Sequence, residues 1–525
     1  MRLRGPMTDK FYITTAISYP NGVPHIGHAY EAIATDAIAR FHRMDGKDVY
    51  FLTGTDEHGL KMEQTARAEG KTAREVADRN SKRFREMVDV LGCSNDDFIR
   101  TTEDRHYTAC QDIWRRMQDA GDIYLSKYSG WYSVRDEAYY DESELIEGEG
   151  GEKCSPQGTP VEWTEEETYF FRLSKYEKPL LDFYENHPEF IGPESRRNEV
   201  LGFVKTGLRD LSISRTSIDW GVPVPGDEKH VMYVWVDALT NYITALGYPD
   251  EDAVLYQKYW PANLHVIGKD IVRFHAVYWP AFLMSANLPL PSRVFAHGFL
   301  FNRGEKMSKS VGNVIDPFDL VDAYGLDQVR YFFLREVPFG QDGSYSHEAI
   351  VTRVNAELVN GFGNLSQRVL AFIFKNLEAK LPSDSKDLTD ADTALLDVSR
   401  SYVEAYHDVM ERQQISKCLE SWMSVVNAAN KYVDEQAPWA LRKTDPERMN
   451  AVLAVLVKAI RNLAIGLRPF CFNAADKVLD QLGIPNQEAD RLFNVVGDDG
   501  WYVAGSVIEK PAPVLARLEM PKDEG

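Results

Sequence analysis

Pro24-His25-Ile26-Gly27-His28 sets two imidazoles three residues apart where a helically spaced segment begins. Residues at i and i+3 share one helix face. A helix N-terminus also points unpaired backbone N–H groups and a partial positive charge outward. Gly27 leaves room for a base or ribose to approach the backbone. A nucleotide triphosphate would suit such an array. Two other readings of these five residues stay open: histidines that are merely solvated, and a metal pair completed by Asp56 and His58. A second cluster, Lys306-Met307-Ser308-Lys309-Ser310 followed by Val311-Gly312-Asn313, puts two ammonium groups and two hydroxyls between Gly304 and Gly312. A loop of this kind can fold over phosphates, where its lysines meet charge developing on a departing pyrophosphate. It is not a Walker A loop, because no GxxxxGK[ST] precedes it. Alone, a short Lys/Ser run more often marks a solvated basic turn.

The elements around these residues must hold them together. Lys10 to Ser18 reads as a strand rich in Thr, Ile and Tyr, ended by the turn Tyr19-Pro20-Asn21-Gly22. Ile26 to Met44 reads as a helix, with Ile33, Ala37 and Phe41 four apart on one face. Asp48 to Thr53 reads as a second strand, leading into Gly54-Thr55-Asp56-Glu57-His58-Gly59 and another helix. Strand and helix in alternation predict a parallel sheet with crossover helices. The alternation breaks near Gly121, where Tyr, Trp and acidic residues dominate. Asp141 to Glu152, with six acidic residues and several glycines, reads as a solvated loop. It resumes at His230–Trp235 and Leu264–Gly268, both read as strands leading into helices. The fold class is therefore α/β: a Rossmann-like parallel sheet split by an inserted connective domain, followed by a C-terminal helical bundle. The expected boundaries are 8–120 and 229–300 for the two catalytic halves, 121–228 for the insertion, 301–350 for a stem-contact region and 351–525 for the bundle and tail. In the bundle Val354, Leu358, Phe362, Leu365 and Val369 recur every three or four residues. Helices are expected near Leu395–Met410, Ser416–Ala437 and Met449–Gly466, with Pro438 and Pro469 as stops. Gly500 to Gly525 carries three prolines and reads as irregular. No internal repeat is visible.

Length and composition bound these readings. A chain of 525 residues implies roughly two to four domains. Its 44% hydrophobic and 26% charged residues are ordinary for a soluble globular protein. No run of eighteen apolar residues suggests a spanning helix. Met1 to Lys10 lacks the apolar core of a signal peptide, and Met7 is an alternative start. Cys93, Cys110, Cys154, Cys418 and Cys471 include no CxxC spacing, which argues against a disulfide framework and a cysteine zinc knuckle and favours a cytoplasmic setting. The net charge of −21 is opposite in sign to that of most nucleic-acid binders. Any RNA contact must therefore rest on local basic patches.

In this order and wide separation, the His-x-Gly-His and Lys-Met-Ser-Lys-Ser stretches resemble the HIGH and KMSKS signatures of class I aminoacyl-tRNA synthetases. Ala16–Gly22, Thr53–Gly59, Tyr233–Ala238, Ile267–His275 through Trp279, and Gln436-Ala-Pro-Trp439 resemble the methionyl-tRNA synthetases, over most of residues 10 to 470. The resemblance implies ATP-dependent activation of L-methionine to its adenylate, then transfer to the terminal adenosine of tRNA(Met), with Mg²⁺ accompanying ATP. It assigns His25 and His28 to the ATP phosphates, Gly27 to adenosine, Lys306 and Lys309 to the leaving pyrophosphate, and Asp270 to the ribose. Asp56 would hold the substrate ammonium. Ile17, Tyr19, Trp235, Ala238, Tyr242, Ile271, His275 and Trp279 match methionine-pocket positions. A thioether is polarizable and a poor hydrogen-bonder, so an aromatic and aliphatic pocket suits it. Taken alone, Trp235, Tyr242 and Trp279 read more readily as core packing than as a pocket. Asn364, Arg368, Pro438 and Trp439 match anticodon contacts, since unpaired bases are read by stacking and edge hydrogen bonds. The other reading of these positions, solvated helix residues for Asn364 and Arg368 and helix-end packing for Trp439, stays open beside it.

Departures from the family pattern carry expectations of their own. Ile17 and Leu239 stand where some members have Leu and Pro. The insertion keeps only Cys154 where many relatives carry zinc-binding cysteines, so no structural zinc is expected. The chain stops soon after the bundle, without the C-terminal dimerisation module of some relatives, so a monomer is expected; with no long apolar run, no membrane partner is expected either. Synthetases for isoleucine, valine or leucine would need a large editing domain, and one for cysteine a zinc site. A small-molecule nucleotidyltransferase would leave the bundle unexplained. A non-catalytic RNA-binding paralogue would not need His25, His28, Lys306 and Lys309 intact.

Overall fold

The computed structural model describes residues 9–136, 138–148, 150–302, 304–306 and 314–520. Its central sheet has six strands: β1 Lys10–Thr14, β2 Asp48–Thr55, β3 Asp97–Arg100, β4 Ile191–Gly192, β5 Leu264–Gly268 and β6 Val294–His297. Every pairing is parallel, in the order β3-β2-β1-β5-β6-β4. The central strands are buried along nearly their whole length, as parallel strands covered on both faces must be. The order reverses between β1 and β5, and ligands bind at the carboxyl ends of strands beside such a reversal. The helix Ile26–Met44 follows β1 and packs Ile33, Ala37 and Phe41 into the core. Its Asp36 is fully buried and paired with an equally buried Arg330 at 2.8 Å, which ties it to the helix Leu326–Glu336. Burial opposes the charge on Asp36, but Arg330, Arg40 and Ser94 outweigh it and lower the carboxyl pKa.

Three expectations are corrected. The strand expected over Lys10–Ser18 ends at Thr14, although Ser18 still bridges Thr55. His230–Trp235 is not a strand of the main sheet. Asp227–Met232 instead joins Ser214–Arg215 and Pro223–Val224 in a small antiparallel sheet, and a helix, Val234–Thr244, begins at once. A short apolar run does not distinguish these outcomes by periodicity. Tertiary pairing decides: the Tyr233 N–H still donates to the Ile213 carbonyl at 2.7 Å, the last rung before the helix begins at Val234. Finally, β4 comes from inside the range expected to be an insertion, and it adds the edge strand beside β6. Two residues carry no pattern that could announce this.

The rest of that range is built on an antiparallel sheet of Ile123–Ser133, Ala138–Tyr140, Glu162–Phe171 and Leu211–Ser212. The acidic stretch expected as a loop holds a short turn at Glu142–Glu144 and the pair Ile146–Glu147 with Lys153–Cys154. Beyond residue 350, the helices Asp390–Met410, Ile415–Gln436 and Pro446–Leu467 form the bundle. Ala437 is left-handed (φ 39°) and Pro438 takes the first turn of Pro438–Thr444, so Pro438 follows one helix and starts another. Pro446–Leu467 is long and apolar enough to cross a membrane by composition, but nearly all of it is buried among its neighbours. The described tail beyond Gly500 holds no helix, yet Ile508, Leu515 and Leu518 are buried in the core.

Candidate active site

A cavity of about 570 Å³ opens at the carboxyl ends of β1, β2, β5 and β6. His25, Gly27 and His28 line one side of it. His25 is the N-cap of the helix Ile26–Met44, and its Nδ1 accepts from the Gly27 N–H at 3.0 Å. The His25 N–H donates to His28 Nδ1 at 3.1 Å, so the two side chains form a capping box. The rings lie 3.9 Å apart. Because both Nδ1 atoms accept, each neutral imidazole carries its proton on Nε2 as a donor. This serves a bound anion and does not suit a metal pair. His58, one of the two further ligands of that reading, is turned away to Asp237. Gly27 has a further use beside the one expected: an added Cβ would lie 2.7 Å from His25 Cε1, so the glycine also makes room for the imidazole.

One turn on, Glu31 reaches His297 at the end of β6, Oε2 to Nε2, at 2.7 Å. His297 Nδ1–H donates to the Gly298 carbonyl at 2.8 Å. Burial raises the Glu31 pKa, partly offset by His297. Burial would lower the His297 pKa, but Glu31 outweighs it and raises it. Asp270, exposed, follows β5 on the same side of the cavity. A Cβ on Gly298 would fall 2.3 Å from the Gln341 backbone, so only glycine permits this crossing. Lys306 ends a short strand paired with Phe301, but its side chain, and Lys309 with the rest of its loop, lie outside the described residues.

The other half of the cavity is apolar. Ile17, Tyr19, Trp235, Ala238, Leu239, Tyr242, Ile271, Phe274 and His275 line it, with the carboxylate of Asp56. Trp235 stacks on Phe274 at 3.6 Å between ring centroids. The His275 Nδ1–H donates to the Ile271 carbonyl at 3.0 Å, so its Nε2 accepts from the Tyr242 hydroxyl at 2.7 Å. Burial holds His275 neutral, with its pKa pushed down to about 4. The polar tips of Tyr242 and His275 thus satisfy each other, and what they leave for a ligand is ring surface. Trp279 is fully buried and does not line the cavity; it packs behind Tyr242, 6.1 Å between centroids, and against Trp260. Tyr19 is fixed by accepting from the Met62 N–H at 2.9 Å.

In the bundle, Asn364 is exposed and Arg368 follows it one turn later on the helix Asn364–Asn376. The Arg368 guanidinium lies 4.8 Å from the Trp439 ring centroid and 3.1 Å from Asp434. Trp439, at 38% exposed, is among the most open large aromatics, and Pro438 before it is buried. Arg442 and Lys443 follow on the same short helix.

Sequence reasoning missed Glu31, His297, Lys61, Arg135, Asp136, Tyr140 and Phe274, all of which line the cavity. Glu31 carried a signal, since it stands three residues after His28 on the same helix face. Arg135, Asp136 and Tyr140 carried none, because they arrive from the insertion. There Asp136 Oδ2 accepts from the hydroxyls of Tyr140, Ser155 and Thr159 at 3.0, 2.6 and 2.6 Å.

Residues 11–370 match a family model described as tRNA synthetases class I (M), and residues 381–498 one described as the anticodon binding domain of methionyl tRNA ligase. The chain is 62% identical over 512 residues to the methionine–tRNA ligase of Brucella suis biovar 1, covering 97% of this chain and 98% of that one. It is 61% identical over 514 residues to that of Mesorhizobium japonicum, covering 98% and 99%. Among solved structures it is similar to Mycobacterium tuberculosis methionyl-tRNA synthetase in complex with methionyl-adenylate, with a TM-score of 0.94 and 54% identity over 97% of this chain and 100% of that one. The apo form of that synthetase gives a TM-score of 0.88 at 50% identity, over 99% and 100%.

Proposed function

This chain belongs to the methionyl-tRNA synthetases of class I, and we infer from that premise how its cavity joins L-methionine to ATP and passes it to tRNA. The observation that carries the reading is the single volume shared by a helix terminus capped by two histidines and an aromatic pocket with a carboxylate at its wall. Asp56 takes the substrate ammonium, and the ring faces of Trp235, Tyr242 and His275 take the thioether. MgATP is the second substrate. The Nε2–H groups of His25 and His28 hold its phosphates, and Asp270 meets the ribose hydroxyls. A methionine carboxylate oxygen attacks the α-phosphorus in line, and the bond to the bridging oxygen of pyrophosphate breaks. Lys306 and Lys309 meet the charge on that leaving group. The 2′-hydroxyl of the terminal adenosine then attacks the adenylate carbonyl, and AMP departs. No covalent enzyme intermediate is needed, so catalysis is positioning and electrostatic stabilisation.

Asn364, Arg368 and Trp439 present an edge donor, a cation and a ring face for anticodon bases. We also propose that the chain works as a cytoplasmic monomer and holds no structural zinc. The carboxylate–hydroxyl cluster at Asp136 supports the last point, since it staples the insertion without a metal-binding cysteine set. ATP–pyrophosphate exchange across the amino acids tests the specificity. Methionine should support exchange, and isoleucine should support far less. The reverse order would overturn the pocket assignment.

A further inference from the structure

Behind the cavity wall lies a buried charge that the reaction does not use. Asp237 is fully buried on the helix Val234–Thr244. Its Oδ2 accepts from His58 Nδ1–H at 2.5 Å and its Oδ1 from His106 Nε2–H at 2.7 Å. The His58 and His106 side chains are 2% and 0% exposed. The far nitrogens are engaged too: His58 Nε2 with the Tyr107 hydroxyl at 2.9 Å and His106 Nδ1 with Thr244 Oγ1 at 3.0 Å. Cys110 Sγ lies 3.2 Å from His106 Nε2. His106, Cys110 and Asp237 have the types and proximity of a metal site. However, two ligand atoms of a tetrahedral zinc stand about 3.3 Å apart, and the 2.7 Å contact here is a hydrogen-bond separation with a proton between the atoms.

The placement of this network gives it a purpose. His58 is two residues beyond Asp56, and Asp237 is two beyond Trp235, adjacent to Ala238 and five before Tyr242. The His58–Asp237 bond therefore joins the segment that offers the carboxylate to the helix that offers the apolar wall. Glu57, between Asp56 and His58, is anchored as well. It accepts from Arg100 at 2.6 and 2.8 Å and from the Thr55 hydroxyl at 2.9 Å. Its N–H donates to Thr101 Oγ1 at 2.8 Å, and its carbonyl accepts from Trp220 Nε1–H at 2.5 Å. Both residues that follow Asp56 thus point into the core and are held there, which leaves the Asp56 side chain directed to the cavity.

We infer that the His58–Asp237–His106 network is a positioning device for amino-acid recognition, which sets the Asp56 carboxylate at a fixed span from Trp235, Ala238 and Tyr242 so that the substrate ammonium and side chain are read together. The inference rests on the reading of the cavity as the methionine site. The ATP side is carried by other elements, the helix Ile26–Met44 and the ends of β5 and β6, so the device acts on one substrate only.

Steady-state ATP–pyrophosphate exchange on the full chain, with methionine and ATP varied separately, tests it. H58A should raise the KM for methionine by about tenfold or more, the effect of losing a hydrogen bond to a buried charge, and leave the KM for ATP within about twofold. H58N, whose amide N–H can take the place of Nδ1–H, should recover most of the loss, and C110A should change neither constant. Equal changes in both KM values, no change in either, or an H58N no better than H58A would overturn the inference. So would a C110A loss matching H58A, which would mark a metal site instead. D56N separates the two levels: if it leaves the methionine KM unchanged, the cavity reading itself falls. Should H58A fail to fold, H106A against H106Q poses the same question from the other side of Asp237.

Discussion

His25 and His28 show how one residue pair can cap a helix and keep a donor on each ring for a ligand. Each Nδ1 terminates a backbone N–H of the helix start, and that bond fixes the tautomer that aims an Nε2–H donor elsewhere. Gly27 is the condition for this, since a side chain would displace the His25 ring. Gly27→Ala should therefore separate stability from activity. Alanine is the better helix former by about 1 kcal/mol, which offsets a cap loss of about 1 kcal/mol, so the melting temperature should stay nearly unchanged. Exchange should fall by about tenfold or more as the His25 cap is pushed aside. Thermal melts and exchange rates on the same preparation check both halves, and undiminished exchange would remove the packing role given to Gly27. Asp237 shows the opposite economy. Burial opposes its charge, yet His58 and His106 outweigh that and hold its carboxyl below the usual carboxylate range.

At the scale of elements, the site is assembled from segments that have little to do with one another in sequence. The helix Val234–Thr244 carries Trp235, Ala238 and Tyr242 on its cavity side and Asp237 on the other, so one helix both lines the pocket and bolts it in place. In the bundle, the helices Asn364–Asn376 and Pro438–Thr444 bring Arg368 over the Trp439 ring. That pairing leaves much of the ring open on a surface remote in sequence from the cavity. Trp439→Ala should lower the rate of tRNA charging by about tenfold, the range seen for loss of one base–aromatic stack, and leave ATP–pyrophosphate exchange intact. Equal losses in both assays would mean that Trp439 supports packing.

For the whole molecule, the net charge of −21 must be reconciled with an RNA substrate. Arg368, paired with Asp434, lies over the Trp439 ring, and Arg442 and Lys443 follow on the same short helix, so cations do gather beside Trp439 in an acidic chain. The acidic remainder is spent on solvation and internal pairing, as at Asp36 with Arg330 and Glu57 with Arg100. The insertion is held by Asp136 and its hydroxyl partners in a region whose only cysteine is Cys154. Native mass spectrometry of the full chain should accordingly return the mass of one polypeptide with no stoichiometric zinc. A bound zinc would overturn the reading of the insertion, and a dimer mass would overturn the monomer.

The sequence by itself determined the chemistry and the local order. The His-x-Gly-His and Lys-Met-Ser-Lys-Ser stretches, the alternation of strand and helix, and the 3.6-residue spacing of the bundle are short-range patterns, written in neighbouring residues. It also placed Trp235, Tyr242 and His275 by likeness, but not what they do for one another. Only the tertiary structure decided that the Tyr242 hydroxyl quenches His275, that Trp279 stands behind the wall, and that His230–Trp235 divides between a small sheet and a helix. It alone recruited Ile191–Gly192 to the main sheet and Arg135 to the cavity. The physical reason is the same in each case. Hydrogen-bond satisfaction and close packing are contracts between distant segments, such as His58 with Asp237, and no local pattern encodes the distance at which they meet.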